Sequence, residues 1–236
     1  MPYLTTKIAI SSAKKWRNIE KVKLPEYCRS YDYLCRQKKY KSMEIKQLEP
    51  KEKVLTFFGE FKSANVESAI KEIVKINISD QEYLKQCRQW AIDNGQDQSP
   101  AKLTPIEFFL STYGGACYDG LALHDVIESS NTPIKVICTG KIMSMGVIVA
   151  LGAKVRKAYR NTTFMIHQVS GLSFGTLREM EDTVAEASRI NEILFNIIKS
   201  KTKVTEEQLN EVLQKKKDWF MTAEEALELG ILTELV

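Results

Sequence analysis

Two hydrophobic patterns alternate between residues 54 and 166. Short runs rich in β-branched and aromatic residues are followed by segments with apolar residues three or four positions apart, which is typical of a strand followed by a helix. The runs predict strands at 54–58, 105–110, 134–138 and 163–166. The helical spacing predicts helices at 64–76, 118–129 and 144–153. Repeated βα units favour a parallel sheet covered by helices, so the sequence predicts an α/β fold.

A more polar segment, 79–101, interrupts this alternation. Its apolar residues Tyr83, Leu84, Cys87 and Trp90 have helical spacing, and Asn94-Gly95 follows them. Asn-Gly is typical of a helix end or a turn. We therefore predict a second short helix here, followed by a loop.

The last third of the chain is predicted to be mainly helical. Three hydroxyl residues each precede a Glu or Gln by three positions, which is the capping-box spacing; the pairs are Thr176 with Glu179, Thr205 with Gln208, and Thr222 with Glu225. The first helix is long and carries one apolar stripe, formed by Leu177, Met180, Val184, Ala187, Ile190, Leu194 and Ile197. Such a stripe usually faces a core, but a helix of this length can also project and pack against another subunit.

Charge is distributed unevenly along the 236 residues. Residues 1–53 hold 14 Lys or Arg against 6 Asp or Glu, whereas the remainder holds 20 against 24. Tyrosines at positions 27, 31, 33 and 40 are interleaved with the basic residues of this segment. A basic aromatic arm can bind nucleic acid, but no nucleic-acid motif accompanies it, so a solvated segment or one that docks on a protein is favoured.

Composition narrows the class of protein further. With 44% apolar residues the chain can build one large domain or two small ones. No apolar run approaches the roughly 20 residues of a membrane span, and the first twenty residues are too polar for a signal peptide, so we expect a cytoplasmic protein. Reduced, mostly buried thiols are favoured over a zinc or redox motif, because the five cysteines are scattered: Cys28, Cys35, Cys87, Cys117 and Cys138.

Candidate chemistry lies between residues 108 and 168. Ser144 follows a predicted strand and precedes a helix of small and apolar residues, where a serine acts either as an N-cap or as a nucleophile. His167 ends a predicted strand, as a structural residue or as a general base. The other histidine, His124, lies within a helical pattern and is predicted to be a packing or surface residue.

Backbone donors are available in the same window. Gly114-Gly115 is either a simple turn or a backbone that can approach a substrate and turn an amide toward it. The amide of Met145, directly after Ser144, could supply a second donor. Two convergent amides would form an oxyanion hole for acyl transfer.

Four segments occur in the same order as in the ClpP family, the proteolytic subunits of the Clp protease, which this chain resembles. They are 112–115 (Thr-Tyr-Gly-Gly), 140–146 (Gly-Lys-Ile-Met-Ser-Met-Gly), 165–168 (Met-Ile-His-Gln) and 218–226 (Asp-Trp-Phe-Met-Thr-Ala-Glu-Glu-Ala). The resemblance implies that Ser144 is the nucleophile, His167 the general base, and Asp218 the carboxylate that orients it. It also implies an oxyanion hole of the Gly115 and Met145 amides. Asp218 follows from the resemblance alone, because several acidic residues lie near it.

The resemblance covers about residue 54 to the end of the chain, which gives a basic arm at 1–53 and a protease domain at 54–236 with a probable insertion at 79–103. It implies a crotonase-like βα spiral with a projecting long helix and a C-terminal helical part. Such subunits form two stacked heptameric rings, a tetradecamer, around a chamber that receives unfolded polypeptide from an AAA+ unfoldase. The implied chemistry needs no cofactor and no metal, since ATP is used only by the unfoldase.

Several residues depart from the family pattern and leave alternatives open. Residues 111–113 are Ser-Thr-Tyr where Asn-Ser-Pro is usual, Lys141 stands where Gln is usual, and Val169 replaces a common proline. These changes affect the expected shape of the substrate cleft. The alternatives to a compartmentalised serine endopeptidase are a catalytically silent structural subunit, a capsid-maturation protease of a phage, and a thioester-handling crotonase relative.

Overall fold

The computed structural model describes residues 52–93, 95, 101–215 and 218–236. The predicted basic arm at 1–53 lies outside these residues except for its last two positions. Its proposed role therefore stays a prediction, as does the assignment of 79–103 as an insertion.

Strands and helices alternate through the described residues. The strands are β1 (Val54–Phe58), β2 (Ile106–Thr112), β3 (Ile134–Met143), β4 (Val155–Ala158), β5 (Thr163–Ile166), β6 (Trp219–Met221) and β7 (Glu234–Leu235). The helices are α1 (Ser63–Asp93), α2 (Cys117–Glu128), α3 (Met145–Leu151), α4 (Leu177–Lys201), α5 (Glu206–Lys215) and α6 (Ala223–Glu228).

The predicted parallel sheet is confirmed. Its strands follow the order β1-β2-β3-β4-β7, with parallel pairing throughout. Strand β3 has two partners on one side, because its first part pairs with β4 and its last three residues pair with β5. Gly140 separates the two parts and has a φ of 66°, a conformation that favours glycine. Strand β6 then joins the far side of β5 in the antiparallel direction.

The hydrophobic core lies between this sheet and its helices. Along β2, Ile106, Phe108 and Leu110 are fully buried and Glu107 is exposed, which is the period-two alternation expected of a strand. All seven residues of α3 are buried. The strand-to-helix turn that carries Ser144 therefore rests on one of the most enclosed elements of the domain.

Helix α1 corrects one prediction. The sequence predicted a helix that ends near residue 76 and a separate short helix after residue 79, whereas α1 runs without a break from Ser63 to Asp93. Asp80, in the middle of α1, is buried and forms an ion pair with Lys53 at 2.6 Å. It also accepts a hydrogen bond from Thr132 Oγ1 at 2.6 Å. A polar residue that would weaken an isolated helix is thus satisfied by tertiary contacts.

The three predicted helix starts in the last third are confirmed. Thr176 and Thr222 each form both hydrogen bonds of a capping box, with Glu179 and Glu225. The same reciprocal bonds join Thr205 and Gln208, at 2.9 and 3.3 Å. Because each pair satisfies otherwise free amides, these starts could be predicted locally.

The apolar stripe of α4 has two different environments. Its second half faces the core, where Ile190 and Leu194 are 6% and 7% exposed. Its first half does not, because Leu177 and Val184 are 71% and 64% exposed. The prediction of a core stripe is therefore correct for the second half only, and the first half is an apolar surface.

Strand β4 was not predicted, because its pattern includes a buried arginine. Arg156 is buried, and its guanidinium donates hydrogen bonds to the carbonyls of Ile231, Ala153 and Gly230 at 2.7, 2.7 and 3.0 Å. These bonds connect β4 to the segment before β7. Burial lowers the pKa of Arg156.

The structure also bears on membrane-spanning helices and on the state of the cysteines. No helix within them is long and apolar enough to cross a membrane. Cys87 and Cys138 are buried free thiols and Cys117 is a half-buried one. Cys28 and Cys35 lie outside the described residues.

Candidate active site

Ser144 has an unusual backbone conformation at the turn between β3 and α3. Its φ and ψ are 54° and −124°, and among the described residues it is the only one besides glycine with a positive φ. Its amide donates to Met165 O at 2.8 Å. It occupies the N-cap position of α3, yet its side chain makes no capping hydrogen bond. Strained backbone of this kind often occurs where a side chain is held for function.

The hydroxyl of Ser144 contacts His167 instead. Ser144 Oγ lies 2.8 Å from His167 Nε2, a hydrogen-bond distance. Parallel pairing of β3 and β5 sets Met143 beside Met165, so Ser144 and His167 both follow the carboxyl ends of adjacent strands. When Nε2 carries no proton, Ser144 donates and the imidazole accepts, which is the arrangement a general base requires.

Asp218 lies across from His167 because of strand pairing. Strands β5 and β6 are antiparallel, with Ile166 beside Trp219. His167, which follows Ile166, therefore faces Asp218, which precedes Trp219. Asp218 Oδ1 is 3.7 Å from His167 Nδ1. This distance is short enough for charge interaction but beyond the usual hydrogen-bond range of about 2.7–3.2 Å. The structure thus brings Asp218 to His167 without joining them by a hydrogen bond.

Gly114 and Gly115 form a turn in which any other residue would be strained. Their φ angles are 111° and 145°. A Cβ added to Gly114 would lie 2.7 Å from Ser144 Cβ, and one added to Gly115 would lie 2.5 Å from both the nitrogen and the oxygen of Phe61. Phe61 holds the turn by donating to Gly114 O at 2.9 Å and accepting from Ala116 N at 3.0 Å. The turn is therefore packed directly against the serine.

The backbone amides of Gly115 and Met145 donate to no acceptor within the described residues. The hydrogen bonds around the turn use the amides of Gly114 and Ala116 but not that of Gly115. At the start of α3, the first bond comes from Val147 N, and Met145 N donates to no described group. The amides that the sequence resemblance assigned to an oxyanion hole are therefore free to donate to a ligand.

Thr112 and Asn191 support the site and were not predicted. Thr112 is fully buried, and its Oγ1 accepts from Gly114 N at 2.9 Å. Asn191 on α4 accepts from Val169 N at 2.8 Å, which ties the segment after His167 to that helix. A hydroxyl two residues before a glycine is a weak local signal, and the sequence offers none for Asn191.

The second histidine is buried, in agreement with a packing role. His124 donates from Nδ1 to the Ile148 carbonyl at 2.7 Å, and its Nε2 is 3.5 Å from Glu128. Asp125 adds a third possible metal-binding atom, with all three within 4.8 Å of one another. Lys201, however, forms an ion pair with Glu128 and holds the pKa of that carboxyl below its usual range. The cluster is thus accounted for as a salt-bridged helix contact.

Comparison with known proteins shows which family the chain matches. A family model described as Clp protease matches residues 62–236. The ATP-dependent Clp protease proteolytic subunit of Deinococcus radiodurans is 32% identical over 133 residues, which cover 56% of this chain and 64% of that protein. A Bacteroides fragilis protein of the same description is 29% identical over 148 residues, covering 62% of this chain and 67% of the relative. The chain thus matches a little under two thirds of the length of the Deinococcus relative.

The fold was also compared with solved structures. A ClpP1 mutant from Listeria monocytogenes superposes with a TM-score of 0.61 over 81% of this chain and 94% of the other, at 24% identity. This confirms the predicted ClpP-type fold. The family match over residues 62–236 shows that the chain belongs to the Clp protease family.

Proposed function

We propose that this chain is a serine endopeptidase in which Ser144, His167 and Asp218 form the catalytic triad. The observation that carries the proposal is the 2.8 Å contact between Ser144 Oγ and His167 Nε2, made by a serine with strained backbone. The Ser144 hydroxyl contacts His167 and makes no capping hydrogen bond to α3. A purely structural N-cap would leave that contact unexplained.

The reaction follows from the placement of these groups. His167 Nε2 takes the Ser144 proton as Oγ attacks the carbonyl carbon of a peptide bond, and the protonated imidazole then gives the proton to the leaving amine. A water molecule that gives its proton to His167 then attacks the acyl carbon. The ester bond to Ser144 Oγ breaks, the imidazolium returns the proton to Oγ, and the carboxylic acid product leaves. No cofactor or metal is needed for either step.

The amides of Gly115 and Met145 would stabilise the oxyanion that forms during each attack. Both are free of acceptors among the described residues, and the glycine turn holds the first beside Ser144. Losing one such donor typically costs about 2.7–4 kcal/mol of transition-state stabilisation. Asp218 would orient His167 and stabilise its charged form once the 3.7 Å gap closes to a hydrogen bond.

We further propose that the subunits associate through the exposed half of α4 and the segment before it. Leu172, Phe174, Leu177 and Val184 are all large, apolar and exposed. A cluster of large exposed apolar residues within one short stretch of sequence favours a protein–protein contact. The relatives are described as proteolytic subunits of an ATP-dependent protease, which supports assembly with further chains. We propose that this assembly is the predicted pair of heptameric rings and that an AAA+ unfoldase delivers unfolded polypeptide to it.

Peptide hydrolysis measured together with particle mass tests this proposal. The wild-type chain should cleave short unstructured peptides as a particle much larger than a monomer, and Ser144→Ala should abolish cleavage without changing the particle mass. Val184→Asp should reduce the mass, because it places a charge on the proposed contact. Cleavage that persists in Ser144→Ala would contradict the catalytic assignment, and an active monomer would contradict the compartment. The thioester-handling alternative would be favoured only if acyl-CoA bound at the same site.

A further inference from the structure

Lys141 and Tyr113 form a contact at the edge of the candidate active site. The Lys141 ammonium lies 4.2 Å from the centroid of the Tyr113 ring, a cation–π distance. Tyr113 is 69% exposed and Lys141 is half-buried. Neither residue has a role in the triad or in the proposed oxyanion hole.

Both residues lie next to groups that would hold the substrate. Tyr113 directly precedes Gly114, whose added Cβ would touch Ser144, so the ring extends from the turn packed against the nucleophile. Lys141 is on β3, three residues before Ser144. It lies on the same face of the strand as Met143 and opposite the buried Ile142. The cation–π pair therefore joins the residue before the glycine turn to the strand that leads into Ser144.

The charge of Lys141 has no carboxylate partner in the described part of the chain. No acidic group there lies within 4.0 Å of the ammonium, which instead lies over the Tyr113 ring. Lys157, by comparison, pairs with Glu234 at 3.0 Å. A cation–π contact supports the ammonium without using its three hydrogen-bond donors. Those donors remain available to an acceptor that arrives from outside.

We propose that Lys141, held in place by Tyr113, binds a carboxylate of the polypeptide substrate close to the scissile bond. Lys141 is thus a specificity-determining residue and Tyr113 a positioning residue. A free lysine side chain has many rotamers. The contact with the Tyr113 ring restricts them, so less conformational entropy is lost when the ammonium binds a carboxylate. This inference rests on the proposed peptidase function.

A matched set of quenched fluorescent peptides tests this directly. The peptides differ only in carrying Glu or Gln at one position near the cleavage site, with each position tried in turn, and each has a free or an amidated C-terminus. At one position we expect kcat/KM for the Glu peptide to be about 5 times that for the Gln peptide. This ratio corresponds to the free energy of a partly exposed charge pair. The ratio should fall on raising the salt concentration. A preference that follows the free C-terminus instead would assign the carboxylate to the chain end.

Variants separate the roles of the two residues. Lys141→Gln should bring the ratio to about 1. Tyr113→Leu should lower it in part, and Tyr113→Phe should keep it because the ring remains. Lys157→Gln, which removes a lysine that already has a partner, should leave the ratio unchanged. A ratio of about 5 in Lys141→Gln, or of 1 in the wild type, would overturn the proposal.

Binding distinguishes failure of this inference from failure of the proposed function. If no peptide is cleaved, the peptidase proposal fails, and fluorescence anisotropy with Ser144→Ala still decides the question for Lys141. Tighter binding of the Glu peptide, lost when Lys141→Gln is added, would support carboxylate recognition. Equal affinity for the Glu and Gln peptides would overturn it. If peptides are cleaved with no preference, the peptidase proposal stands and the role of Lys141 does not.

Discussion

His167 Nδ1 lies 3.7 Å from Asp218 Oδ1, close enough for the carboxylate to stabilise a protonated imidazole but too far for a hydrogen bond. The antiparallel register of β5 and β6 fixes this proximity. Asp218 is exposed, so its carboxylate is free to move toward the imidazole.

Replacing Asp218 by Asn is expected to lower kcat by about 10³–10⁴. The amide cannot stabilise the protonated imidazole, and it disturbs the tautomer that leaves Nε2 able to accept the serine proton. Peptide hydrolysis under saturating substrate measures the effect, with circular dichroism as a check on folding. Glu224→Gln, which alters another exposed carboxylate after β6, serves as the control. Full activity of Asp218→Asn would remove this residue from the site.

Gly114→Ala is expected to displace the nucleophile. The added Cβ would lie 2.7 Å from Ser144 Cβ, so one of the two must move, and the φ of 111° is unfavourable for alanine. Misplacement of a reacting group by about 1 Å can cost about 10²-fold in rate. The rate of Ser144 labelling by a fluorophosphonate reports this loss. Gly171→Ala is the control because its Cβ would meet no heavy atom within 4 Å. Equal rates for both variants would show that the turn does not position the serine.

Asp80→Ala is expected to destabilise the domain by about 3–5 kcal/mol, because it leaves the largely buried Lys53 without its counter-ion. Glu82→Ala, on the same helix but exposed, should change stability by no more than about 0.5 kcal/mol. Urea unfolding of the two variants measures the difference. Similar midpoints would mean that the ion pair does not contribute to holding α1 in place.

The thiol of Cys138 should resist alkylation at pH 8. Burial raises its pKa to about 12, so the thiolate is only about one part in 10⁴ at that pH, and the sulfur is enclosed. Raising the pH toward 12 should increase the thiolate fraction. Peptide-resolved mass spectrometry after iodoacetamide treatment is expected to find Cys117 modified before Cys138 in the folded protein, and both equally modified in guanidinium. Early modification of Cys138 would contradict the burial of β3.

Much of the fold could be predicted because its signals are local. The capping pairs that begin α4, α5 and α6 use residues three positions apart, and the strands β1, β2, β3 and β5 are marked by their own composition. The continuity of α1 could not be predicted because Asp80 is stabilised by Lys53 and Thr132, both distant in sequence. Strand β4 was missed for a similar reason, since Arg156 is satisfied by carbonyls from the end of the chain.

The candidate site shows the same division. Ser144 and His167 each follow a strand that the sequence marks, so both were candidates before any comparison. Asp218 could be assigned only through the family resemblance, because it is the pairing of β5 with β6 that brings it to the histidine. Lys141 in β3 contacts Tyr113, which follows β2. Neither segment of sequence contains a pattern that predicts this contact.

Covalent labelling is the sharpest test of the proposal that His167 activates Ser144 as a nucleophile. The 236-residue chain is incubated with a fluorophosphonate, and the adduct is located by mass spectrometry of the intact protein and of its peptides. We expect one adduct, on Ser144, that disappears in Ser144→Ala and forms far more slowly in His167→Ala. A folded protein that acquires no adduct at Ser144, or that is labelled equally fast without His167, would contradict it.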